Sequence, residues 1–227
     1  MMQPENQRRA CLQAMGIDVW LPRNSDDESE PVADVQPGPA ADGMNWETLR
    51  EAVSGCTLCG LAASRSNTVF GVGNPDADWL IVGEAPGAEE DRRGEPFVGR
   101  AGTLLDEMLR AIGQRREDVF IANILKCRPP NNRDPKADEA AACRPYLQRQ
   151  IELIKPRIIL AVGRIAAQNL LASDDPVGRM RGRAHELGGI PLVVTYHPAY
   201  LLRSPSQKNK AWQDLCLATR LAAQYSA

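Results

Sequence analysis

The sequence predicts an α/β domain, a three-layer α/β/α sandwich around a central, mostly parallel sheet of four strands. Three observations carry that expectation. Four short apolar runs are continuous rather than alternating, the pattern of strands covered on both faces. Segments with helical spacing stand between them, as parallel connections require. The runs then break off in glycine, proline or polar residues, which mark loops at strand ends.

The elements follow in order. Residues 1–16 can form a short amphipathic helix ending at Gly16, and GIDVWLPR follows. Residues 1–22 therefore read as a helical tether, with Trp20 either an anchor for a protein partner or a chance exposed aromatic. Residues 23–44 hold no aromatic residue, are rich in acids, Pro and Gly, and read as a linker that cannot bury enough apolar surface to order itself. The domain is expected over 45–227. Asn45 is placed to cap a helix that Gly55 stops. WLIVG at 79–83 is the first strand, followed by a helix with apolar residues at 104, 105, 108, 109 and 112. VFIANI at 119–124 is the second strand. A helix over 136–156 ends at Pro156, and RIILAVG at 157–163 is the third strand. A helix over 164–172 precedes the fourth strand, IPLVVTYHP at 190–198, which Pro198 breaks. The last helix covers 209–225. In such folds a site lies outside the carboxyl ends of the strands. Here those ends read GEAPG, ANILKC, AVGR and YHPAY.

Composition sets outer bounds. With 43% apolar and 25% charged residues over 227, the chain has an ordinary globular make-up, and no apolar run is long enough for a membrane span. The N-terminus has no continuous apolar stretch after its arginines, so no signal peptide is read there. A cytoplasmic, nucleoid-associated monomer is the expectation. The net charge of −2 hides a split: six acids and no base lie within 24–44, and the remainder is positive. Arg179, Arg181 and Arg183 form one basic run; Arg203, Lys208 and Lys210 form another. Such patches can grip phosphates, although a charge run is more often a solvated face.

Six cysteines stand at 11, 56, 59, 127, 143 and 216. In a reducing compartment they are thiols. Cys56 and Cys59 form a C-x-x-C pair, while Cys127 follows a strand and Cys143 lies inside a helix. Two ligands from one turn and two from separate elements can close around a zinc ion or an iron–sulfur cluster, and spacing does not choose between them. Cys216 sits in an apolar helix stripe and reads as packing.

The stretches GEAPGAEEDRRGEPFVGRAG, ANILKCRPPNNRDP and TYHPAYLLR, with the C-x-x-C at 56–59 and Cys143, run in one order over residues 45–222. In these the chain resembles the family 4, iron–sulfur, uracil-DNA glycosylases. The resemblance implies a three-layer α/β/α fold and a structural [4Fe-4S] cluster on Cys56, Cys59, Cys127 and Cys143. It implies hydrolysis of the N-glycosidic bond of uracil in single- and double-stranded DNA, leaving an abasic site without strand cleavage. Phe97 matches the aromatic that stacks on the flipped base. Asn123 matches the residue that reads the uracil edge, because an amide can donate to O4 and accept from N3–H. His197 matches the histidine placed near O2, where charge develops as uracil leaves. Gly83, Ala85, Gly87 and Glu90 fall in the same substrate loop. Ala85 stands where a related branch carries a water-positioning aspartate, so Glu84 and the backbone nearby become the candidates for that role. Gly87 stands where that branch carries a methyl-blocking tyrosine, so Glu90 is the candidate for rejecting thymine. Without a ligand role, Glu89, Glu90 and Asp91 would be a solvated loop. Arg179, Arg181, Arg183 and Arg203 are candidate phosphate contacts, and His185 is expected in an exposed loop. The alternative is a non-catalytic DNA-binding module tethered to a repair or replication protein through residues 1–22.

Overall fold

Continuous apolar strands need cover on both faces, and these strands receive it. The computed structural model describes residues 41–224. The tether expected over 1–22, with Trp20 and Cys11, and the linker up to residue 40 lie outside the described residues. At the linker's far end, Ala41 is buried and the Met44 carbonyl accepts from Arg149 Nε at 2.6 Å, so residues 41–44 pack onto the domain.

The first helix, α1 (Trp46–Ser54), begins where the sequence places it. Asn45 Oδ1 accepts from the Thr48 amide, and Thr48 Oγ1 accepts from the Asn45 amide, a reciprocal capping box. The chain then makes β1 (Val72–Gly73), β2 (Trp79–Gly83), α2 (Ala88–Arg93), α3 (Arg100–Ala111) and β3 (Phe120–Asn123). The long helix α4 (Ala137–Ile154) leads to β4 (Ile158–Val162), α5 (Arg164–Leu171) and α6 (Val177–Met180). Last come β5 (Ala184–Leu187), β6 (Ile190–Thr195), α7 (Pro198–Arg203) and α8 (Lys208–Gln224). The helix expected to run to Pro156 stops at Ile154. A residue before proline is pushed out of the helical region, and Lys155 takes a left-handed conformation, φ 50°, ψ 53°.

The sheet has six strands, in the order β1-β3-β2-β4-β6-β5. The four expected strands are its parallel centre. The two additional strands are antiparallel edges, so the four-strand expectation is corrected. β1 is two residues long, and β5, AHEL, is only half-covered; neither contains the apolar run that marks a central strand. Alternate residues of β2 divide between the faces. Leu80 and Val82 join one core with Leu49, Tyr146, Leu147 and Ala166 from α1, α4 and α5. Trp79 and Ile81 join the other with Leu105, Leu109, Leu215 and Ala218 from α3 and α8. The centre is therefore three-layered. Among the described residues no helix is long and apolar enough to cross a membrane.

Strand order also locates the site. From β2 the chain moves to β3 on one side, then returns to β4 on the other. The carboxyl end of β2 is a switch point, where loops diverge and leave a crevice. Gly83 and Asn123, the last residues of β2 and β3, pair there in register.

Candidate active site

A pocket opens at that crevice. It is lined by Glu84, Ala85, Gly87 and Glu90 after β2, by Phe97, by Asn123 after β3, by Gly163 after β4 and by His197 after β6. Every substrate-loop residue singled out from the sequence lies on this wall except Gly83, which is buried behind it. A Cβ on Gly83 would come within 2.4 Å of Asn123 Oδ1 and 2.7 Å of the Phe97 ring. Glycine lets those two side chains close over the strand end.

Phe97 is buried and held in a left-handed conformation, φ 53°, which a bulky residue rarely adopts. Two neighbours impose it. Gly102 on α3 lies so close that a Cβ there would sit 1.8 Å from the Phe97 carbonyl oxygen. Glu90 on α2 accepts from the Gly87 amide through Oε2 (3.1 Å) and from the Val98 and Gly99 amides through Oε1 (3.0 and 3.3 Å). Glu90 thus holds the wall that carries Phe97, with both carboxylate oxygens engaged by backbone. Its neighbour Asp91 is no solvated loop residue. It is buried and accepts from the Ser66 and Asn67 amides, tying α2 to the preceding segment.

Asn123 is 2% exposed, and among the described residues no hydrogen bond reaches its side-chain amide. Buried amides are normally paired. This one borders the pocket and has donor and acceptor capacity left for a ligand.

His197 precedes α7, and Pro198 opens that helix at the position where a missing N–H costs nothing. The Ala199 amide donates to His197 Nδ1 at 3.1 Å, so in the neutral ring the proton sits on Nε2. Burial lowers the imidazole to about 4, with the Arg203 charge adding to the effect and Glu90 opposing it. The ring lies 5.6 Å from the Phe97 ring at an interplanar angle of 27°. Gly163 admits it: a Cβ there would meet His197 Cβ at 2.9 Å. Glu84 is half-buried, and its carboxyl is raised by burial and by Asp134, with Arg164 acting the other way.

The basic residues divide. Arg203 is exposed on the pocket rim. Arg183 is exposed, and Arg179 is exposed with a long 3.4 Å pair to Asp175. Arg181 differs from its expectation. Its guanidinium grips buried Asp214 through Nε (3.0 Å) and Nη2 (2.8 Å) and lies over the Tyr196 ring. That side chain is committed to the interior. His185 is also corrected: it is half-buried in β5, with Nε2 2.6 Å from the Met180 carbonyl oxygen. Tyr196, Tyr200, Arg164, Asn132 and Arg133 line the pocket without having been singled out. Asn132 carried a signal within PNNRDP, since consecutive asparagines favour positive φ, and both adopt it (55° and 53°). Arg133 is bound to buried Glu139 by two hydrogen bonds (2.5 and 2.8 Å).

A second, apolar cavity lies behind β3. Cys56, Cys59, Cys127 and Cys143 line it together with Val53, Leu61 and Leu125. Arg65 Nη1 donates to Cys127 Sγ at 3.1 Å, and the Lys126 amide donates to Cys143 Sγ at 3.3 Å. Burial pushes the Cys143 thiol up to about 12, and raises Cys127 and Cys59 as well. Buried sulfurs that gather N–H donors are suited to thiolate ligation, where bound iron supplies the compensating charge. Among the described residues no three His, Cys, Asp or Glu side chains gather closely enough for a single metal ion. Cys216, half-buried on α8, is remote in sequence from all four and lines neither cavity.

Comparison with known proteins agrees with this geometry. Residues 70–216 match the Uracil DNA glycosylase superfamily. A type-4 uracil-DNA glycosylase of Thermotoga maritima is 48% identical over 164 residues, 71% of this chain and 85% of that protein. One from Archaeoglobus fulgidus is 46% identical over 176 residues, 74% of this chain and 88% of that protein. A type-5 enzyme of Thermus thermophilus is 29% identical over 222 residues, 80% of this chain and 98% of that protein. With its fold, its pocket and these relatives in agreement, the chain belongs to the uracil-DNA glycosylase superfamily, in the type-4 branch.

Proposed function

We propose that this protein excises uracil from DNA by hydrolysing the N-glycosidic bond, in single and double strands, as a step of base excision repair. The observation that carries the reading is the amide of Asn123, which lines the pocket together with Phe97 and His197 and has no hydrogen-bond partner among the described residues. Extruding a base from a duplex costs a few kcal/mol, and the pocket must return it. The Phe97 ring, locked by Gly102 and Glu90, offers a fixed stacking face. Asn123 donates to O4 and accepts from N3–H; cytosine presents the reverse pattern at both positions and leaves two buried polar groups unpaired.

As the C1′–N1 bond breaks, its electron pair goes to the base and charge gathers on O2. In the neutral His197 ring Nε2 carries the proton, and that donor stabilises the charge without needing to lose a proton of its own. Water adds to C1′ and must lose a proton. In this reading Glu84, which lines the pocket and whose raised carboxyl is a stronger base than an exposed one, orients the water and accepts that proton. Ala85 leaves no carboxylate at the neighbouring position. Arg203, Arg183 and Arg179 supply phosphate contacts that place the strand without naming the base.

The four-cysteine cavity suits a [4Fe-4S] cluster. Four thiols line one cavity, and each iron of such a cluster takes one thiolate. Cys56, Cys59, Cys127 and Cys143 would hold it, and it would brace the loop after β3 against α4 and the segment after α1.

The test is incubation with single- and double-stranded oligonucleotides bearing one uracil, followed by alkali. Cleavage at the uracil position only after alkali is the expected result; no cleavage above an enzyme-free control sinks the proposal. Brown protein with iron and acid-labile sulfide is expected on purification, whereas colourless zinc protein sinks the cluster assignment.

A further inference from the structure

Lys126 is 1% exposed; it is not part of the base-pocket lining and borders the cysteine cavity instead. No carboxylate pairs with it among the described residues. Burying an ammonium group is costly, and an apolar chain of equal length would fill the space without that cost. What the ammonium supplies is hydrogen bonds. Nζ donates to the Asn123 carbonyl oxygen at 3.0 Å and to Gln150 Oε1 on α4 at 2.6 Å. Gln150 is anchored in turn, its Nε2 donating to the Phe70 carbonyl at 2.9 Å.

The bond to Asn123 falls on a particular peptide. The Ile124 amide, on the other side of the 123–124 peptide, donates to the Gly83 carbonyl at 3.0 Å. Both polar groups of that peptide are therefore held, one by β2 and one by Lys126. The Asn123 side chain has no hydrogen-bond partner among the described residues, so its direction rests on packing against Gly83 and Phe97 and on the backbone that carries it. We propose that Lys126 is a positioning residue for base recognition: it clamps the 123–124 peptide to α4 and thereby holds the Asn123 amide in the register that uracil requires. The inference rests on the base-reading role given to Asn123 above.

A double-mutant cycle on the iron-loaded, full-length protein tests it, read as single-turnover uracil release. Lys126→Met keeps the length of the side chain and removes the donor. In the native background it should slow release about 10- to 100-fold, as loss of a supporting hydrogen bond or a slight misplacement does. With Asn123 already alanine, the same change should cost less than about twofold, because its effect passes through the amide that is gone. A merely structural lysine would instead give equal fold-losses in both backgrounds. Equal losses, or no loss in either, overturn the proposal. If Lys126→Met does not retain iron and a native melting transition, Lys126→Leu, which also lacks the donor, replaces it in the same cycle with the same two outcomes. The unmutated arm separates the failures. A native protein inactive on uracil-DNA overturns the functional reading itself; an active one with multiplicative losses overturns only the role of Lys126.

Discussion

Two hollows share the end of one strand, and they differ in how their polar groups are satisfied. Asn123 borders the base pocket; four residues on, Cys127 borders the cysteine cavity. The cavity is walled mainly by apolar side chains, and at least two of its four sulfurs receive N–H donors. The pocket is open and carries an amide without a partner, a neutral imidazole and a half-buried carboxyl. Thiols enclosed by apolar walls at the junction of several elements hold a scaffold. Groups left with free hydrogen-bonding capacity await a ligand. Changes in the first hollow should therefore appear as lost stability, and changes in the second as lost rate.

The largest effect is expected at the cysteines. Cys143→Ala should lose iron and several kcal/mol of stability, since ligand binding is part of the folding free energy at such sites. Iron analysis with a thermal melt checks it; full iron with an unchanged melt erases the contrast. Next comes His197→Ala, expected to slow release about 10²- to 10³-fold, the usual cost of one transition-state donor, with the melt little altered. Single-turnover kinetics at saturating DNA decide it. Gly83→Ala tests the wall itself: the added methyl collides with Asn123 and Phe97, so the rate should fall while overpacking costs about 1–3 kcal/mol.

The pH profile gives a subtler check. Burial holds the imidazole at about 4, so the neutral ring persists well below pH 6.5. The rate term assigned to it should stay flat from pH 8 to 6 and decline only towards 4, and an inflection near 6.5 that vanishes in His197→Ala would falsify the neutral-donor assignment. The same depression means that the unfolded chain binds the proton first. Stability should then fall as pH drops from about 6.5 towards 4, and this term should be absent from the variant's melts. The smallest effect is expected at Arg203. Its replacement by alanine should weaken DNA binding a few-fold on every sequence and reduce the salt slope by about one. A loss confined to uracil-bearing DNA would place it in the pocket chemistry instead.

Much of this was legible in the chain itself. The four central strands are continuous apolar runs, and burial on both faces demands that pattern wherever the strands lie. The cap at Asn45 is local chemistry over three residues. The resemblance in the strand-end stretches pointed to Phe97, Asn123 and His197, because those stretches carry the loops that a parallel sheet brings together. The edge strands β1 and β5 escaped because pairing defines them and their own composition does not. Arg181 and Asp91 were misjudged for a related reason. A charge in a run of charges looks solvated until a distant partner is found: Asp214 lies 33 residues from Arg181, and the Ser66 amide 25 from Asp91. The roles of Gly102 and Lys126 likewise arise from approach in space, where a carbonyl lies too near for a Cβ or an ammonium reaches across a turn to another helix. Periodicity and motif are properties of neighbours along the chain, so the sequence by itself determined the strands and the loop ends, while the set of four thiols rests on the family resemblance. Which polar groups are satisfied and which are left for a ligand depends on partners brought together by folding, and only the tertiary structure decided that.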